Sequence, residues 1–133
     1  MPRIILTLAL VLASMPSFAA PPTAEENVVR AMSEAAQRDQ LGAFLRTVDL
    51  AQISAASKGQ CTPETLLAIG KLLAIPGATF ETRHRGDFRA VRATTRDQIT
   101  ALFSLHPTDR TLDEPEGRLV IVAVDVRFPE KTP

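Results

Sequence analysis

The sequence predicts an α+β domain in which N-terminal helices pack on one face of a curved antiparallel sheet of about four strands. Three observations predict it. Apolar residues recur at helical spacing from Val28 to Ile75; the period changes to two at Thr79; and Arg118 to Phe128 is denser in β-branched residues at strand spacing than any other window.

Thr23 followed three residues later by Glu26 is a capping-box start, and Glu25 and Glu26 suit the positive end of a helix. Val28, Val29, Met32, Ala35 and Ala36 then fall on one side, with Arg30, Glu34 and Arg38 largely on the other, to about Arg38. Asp39 is expected to cap a second helix carrying Leu41, Phe44, Leu45 and Val48. Asp49 caps a third, short piece through Leu50 and Ile53 that stops at Lys58-Gly59. Thr62-Pro63-Glu64 gives a cap, a proline at the first helical position and an acidic first turn. The apolar residues from Leu66 to Ile75 are too many for one narrow stripe, so this helix is expected to be buried on most sides until Pro76-Gly77 ends it.

Thr79 to His84 and Arg89 to Thr94 read as a β-hairpin whose two-residue loop, Gly86-Asp87, suits a type II′ turn. That loop sets the register: Phe80 opposite Ala93, Glu81 opposite Arg92, Thr82 opposite Val91, and His84 opposite Arg89. One face carries Phe80, Val91 and Ala93 with His84 and Arg89 at its far end; the other carries Glu81, Arg83 and Arg92 as a solvated ion-pair face. Gln98 to Leu105 alternates as a third strand, with a short helix capped at Thr95 to Gln98 as the alternative. An acidic loop with Asp109, Asp113, Glu114 and Glu116 leads to the last strand. Strict alternation there puts Val120, Val122, Val124, Val126 and Phe128 on one face, and Asp125 and Arg127 on the other. The helices are expected to cover the valine side, with this strand at the centre of the sheet.

Residues 1–19 read as a secretory signal peptide: Arg3, an apolar run from Ile4 to Ala13, and small residues before a cut after Ala19. The run is too short for a stable membrane span, which leaves residues 20–133 as a single domain expected in the periplasm or secreted. Fifteen basic residues against fifteen acidic ones argue against a nucleic-acid binder. Cys61 is the lone cysteine and is read as a simple buried thiol, with pairing between chains as the alternative. With no tryptophan and no tyrosine, the chain lacks the usual stacking platform for sugars or bases.

The run Glu26-Asn-Val-Val-Arg-Ala-Met-Ser-Glu-Ala-Ala-Gln-Arg-Asp-Gln-Leu-Gly-Ala-Phe-Leu45 resembles the opening of nuclear-transport-factor-like or cystatin-like α+β domains. Thr62-Pro-Glu-Thr-Leu-Leu67 and Pro76-Gly-Ala-Thr-Phe80 are similar to small exported members that place a helix before the sheet. The glycine usual in the polar step is Gln40 here, and enzyme members generally have more strands. The resemblance implies a cone-shaped α+β domain, and for enzyme members a proton-transfer site built on histidine and aspartate.

His84, Arg89 and Asp125 are the candidate ligand-binding residues. The hairpin from Glu81 to Arg96 holds five arginines against Glu81 and Asp87, a patch suited to a small anionic ligand or an acidic protein partner. No nucleophile motif, phosphate loop or metal-ligand spacing is present, so no catalytic residue, metal or cofactor is assigned. The expected function is therefore an exported, non-enzymatic binding protein. The alternative is a small proton-transfer or hydrolytic enzyme with His84 as base and Asp125 orienting it. Burial of both side chains in a closed pocket would favour the enzyme. A homodimer through the open face of the sheet is a further expectation.

Overall fold

The computed structural model describes residues 21–108, 112 and 117–129; the expected signal peptide and the acids of the loop before the last strand lie outside the described residues. Four helices, α1 (Ala24–Gln37), α2 (Leu41–Leu45), α3 (Leu50–Ser57) and α4 (Pro63–Leu73), precede four strands. The strands are β1 (Thr79–Arg85), β2 (Phe88–Thr94), β3 (Thr100–Pro107) and β4 (Leu119–Arg127). They form one antiparallel sheet in sequence order, and helices pack on it, so the domain is α+β.

Local chemistry explains most helix starts. The hydroxyls of Thr23 and Thr62 accept from the backbone N–H groups of Glu26 and Thr65, and the carboxylate of Asp49 accepts from that of Gln52. α3 ends where Lys58 takes a left-handed φ of 56° and Gly59 follows at 81°. Asp39, expected to cap α2, does something else. It takes φ 54° at the end of α1, with the Gln40 N–H bonded to the Ala35 carbonyl, so it terminates one helix instead of starting the next. Gln40 stands at the start of α2 without a side-chain cap.

α1 and α4 pack closely. Ser33 Oγ donates to the Gly70 carbonyl at 2.6 Å, and a Cβ built on Gly70 would lie 2.7 Å from Ala36 Cβ and 3.0 Å from Met32 Sδ. α4 is buried along Leu66, Ile69, Gly70 and Leu73 only, while Thr65, Ala68 and Lys71 are exposed. Burial on most sides is thus not observed, because α4 packs chiefly against α1 along this one stripe. Phe44, Met32, Ile53 and Leu66 meet Phe103, Val91 and Ile121 in a single core. Each such side chain contributes about 1.5–3 kcal/mol by leaving water.

In the β1–β2 hairpin every expected pair is present, from Phe80 opposite Ala93 to His84 opposite Arg89. Gly86 alone has positive φ in the loop, at 61°. The expected third strand is β3. On the ion-pair face expected of Glu81, Arg83 and Arg92, the pair that forms runs along the strand, Glu81 to Arg83 at 3.4 Å.

β4 departs most from expectation. It lies at the edge of the sheet, because the four strands pair in sequence order. Its alternation is also broken: Leu105 lies opposite Ile121 but Ser104 opposite Ala123, so Val122 is an extra, bulged residue. Leu119 and Ile121 therefore share the helix-covered face with Val124 and Val126, and the all-valine face does not form. Val48, expected in a helix, instead bridges to Ile121 in parallel, with Ile121 N–H to Thr47 O at 2.8 Å and Asp49 N–H to Ile121 O at 2.9 Å.

Candidate functional site

The two faces of the sheet divide the expected site residues between them. His84 and Arg89 stand opposite each other at the hairpin end of the helix-covered face. There the first turn of α1 meets the hairpin: Thr23 Oγ1 lies 2.6 Å from Thr82 Oγ1, and the Glu25 carboxylate lies 3.6 Å from Arg89 Nη1. Glu25 is only 9% exposed, so this first-turn acid stays next to the one arginine that docking of the helix brings to it. Arg89 is answered by the protein's own carboxylate, and His84 is exposed beside it.

Asp125 projects from the opposite face, where it is exposed and lies 3.4 Å from Arg127 Nε on the same strand. The structure brings His84 and Arg89 together and leaves Asp125 apart from both. Glu25 was legible in the sequence as a helix-dipole residue, but its pairing depends on how α1 docks and carries no local signal.

The open face holds a groove of about 510 Å³ lined by Arg92, Thr94, Gln98, Thr100, Leu102, Asp125, Arg127, Phe128 and Pro129. Register builds it. Arg92 lies opposite Leu102, Thr94 opposite Thr100, and Leu102 opposite Asp125, so one row crosses β2, β3 and β4. The rim is the tight β2–β3 turn, in which Gln98 takes φ 69° and Ile99 N–H donates to Thr95 Oγ1. At the other end of the same face Ala90 and Val120 are buried without joining the helix-side core.

Charge within the groove is uneven. Arg127 is engaged by Asp125, whereas Arg92 is exposed and has no ion-pair partner among the described residues. An anion placed against Arg92 would also meet the hydroxyls of Thr94 and Thr100 and the amide of Gln98, with Leu102, Phe128 and Pro129 supplying apolar wall. In the sequence Arg92 stands out as part of an ion-pair face and as one of the five hairpin arginines of the expected anionic-ligand patch. The hairpin pattern placed it on the open side, but its neighbours on β3 and β4 came from tertiary pairing.

A second groove, also about 510 Å³, runs beside the outer edge of β4 and includes Ser57, Gln60, Cys61, Val124, Val126 and Phe128. Burial pushes the Cys61 thiol pKa up, so at neutral pH it stays protonated and is a poor nucleophile. No group of three metal-ligating side chains occurs among the described residues, and no helix among them is long and apolar enough to cross a membrane. No protein-family model, curated protein or solved structure matches this chain.

Proposed function

We propose that this chain is an exported, non-enzymatic binding protein that holds a small amphipathic anion, such as a carboxylate with a short apolar tail, on the open face of its sheet. The observation that carries the reading is the exposed Arg92 guanidinium, without an acidic partner among the described residues, in a groove that adds three hydrogen-bonding side chains and an apolar wall. The binding residues move accordingly from His84, Arg89 and Asp125 to Arg92, Thr94, Gln98 and Thr100. His84 and Asp125 are both exposed and on opposite faces, an arrangement that favours binding over the proton-transfer alternative.

Calorimetric titration of residues 20–133 with hexanoate and with hexanol tests it. Hexanoate is expected to bind and hexanol to bind far more weakly. Arg92→Ala removes a charge-assisted contact worth about 1.5–3 kcal/mol, a loss of about ten- to a hundred-fold in affinity, while Arg89→Ala leaves binding unchanged. Equal binding of both probes, or sensitivity to Arg89→Ala alone, would overturn the assignment. Export is tested separately by sequencing the N-terminus of the protein recovered outside the cytoplasm, which should begin at Ala20.

A further inference from the structure

We propose that two copies of this chain pair antiparallel through the outer edge of β4, about a two-fold axis at Val126, to make one continuous eight-stranded sheet. β4 is an edge strand whose sole bridge on the outer side is the one at Ile121 among the described residues, so the strand from Ala123 onward presents backbone without a strand partner.

The choice of axis follows from charge. Residues directly opposite in an antiparallel pair share a face, so a two-fold axis between identical strands must pass through a residue. An axis at Asp125 sets two carboxylates against each other, and one at Arg127 sets two guanidinium groups together. An axis at Val124 would require Ile121, which Thr47 and Asp49 already occupy. An axis at Val126 sets Asp125 against the second copy's Arg127, twice by symmetry. It also sets Phe128, which is 74% exposed, against the second copy's Val124, beside the groove that includes Gln60 and Cys61. Paired residues then run from Ala123 to Pro129. The ladder stops short of Ile121 at one end, and at the other Pro129 has no N–H to offer.

Self-complementarity makes the test a charge swap. Sedimentation equilibrium of residues 20–133 is expected to give a dimer at high concentration. Asp125→Arg alone and Arg127→Asp alone each turn both symmetric attractions into repulsions, and each should weaken dimerisation about tenfold or more. The double variant Asp125→Arg/Arg127→Asp should restore it. Both side chains are well exposed, so the monomer fold is retained, which circular dichroism verifies. Register is read independently: Val126→Cys in a Cys61→Ser background should oxidise to a covalent dimer, because opposed residues lie about 4.5–5.5 Å apart at Cα, within disulfide reach. A monomer at every concentration, or a dimer indifferent to the single swaps and unrescued by the double one, would overturn the proposal.

Discussion

The β1–β2 hairpin follows its sequence pattern, whereas β4, the strand richest in β-branched residues, does not. In the hairpin a two-residue loop with positive φ at Gly86 links strands whose register is unbroken over seven pairs. β4 has no tight turn to anchor it, since it is reached through the residues 108–118. Its register is decided by what it packs against: Ile121 is held by Thr47 and Asp49, Val124 lies opposite Phe103, and Val122 is left over between them. Turn chemistry fixes structure over a few residues, and beyond that reach packing decides.

The sharpest way to break this contrast is one substitution at two valines that strict alternation makes equivalent. Val124 packs against the core cluster and Val122 does not. Val124→Asp should cost about 2–3 kcal/mol by placing a carboxylate against apolar neighbours, and Val122→Asp less than about 1 kcal/mol. Urea midpoints at low protein concentration measure both. Equal losses would return β4 to regular alternation and remove the bulge.

The same division explains how much of the molecule was legible. Caps at Thr23, Asp49 and Thr62 and the hairpin register depend on residues within a few positions of one another, and they stand in the structure as the sequence implies. Most misread features are long-range, with Asp39 the local exception. Asp39 looked like a cap because aspartate often is one, but α1 needed a left-handed terminator at that position. β4 looked central because it is the most apolar strand; in a meander of four its place in the order puts it at the edge, where α3 packs against it and residues 47–49 bridge to it at Ile121. For the candidate site, His84 facing Arg89 was legible from the hairpin. Alternation had already set Asp125 on the face away from the valines, where it stands, so its separation from the hairpin pair was legible as well.

Gly70 sets the two kinds of rule against each other at a single atom. Locally, alanine is the better helix former by about 0.8–1.0 kcal/mol, so Gly70→Ala should stabilise α4. Its new Cβ would meet Ala36 Cβ at 2.7 Å, and that methyl is fixed to the backbone of α1, so the helices must part. Packing wins: the variant should be destabilised by about 1–3 kcal/mol. A rise in melting temperature would show that the α1–α4 contact yields more easily than its geometry implies.

The smallest effect belongs to a purely local device. Hydrogen bonds from the Gln52 side-chain amide, then the Gln52 backbone N–H, hold the Asp49 carboxyl below its ordinary pKa. A carboxyl whose pKa is depressed in the folded state contributes stability that is complete above the unfolded value, about 3.9, and is lost as pH falls through the folded one. Asp49→Asn keeps an acceptor at the start of α3 but cannot titrate. Because the residue lies near the surface, the variant should match the parent to within about 0.5 kcal/mol at pH 7 and lose slightly less stability on acidification from pH 5 to pH 2. The difference is confined to that window because no proton binds at this site above it. Asp49 also donates its N–H to Ile121, so a larger loss at neutral pH would mean that the cap helps hold β4 as well as starting α3. The local device would then be part of the packing that sets the edge strand.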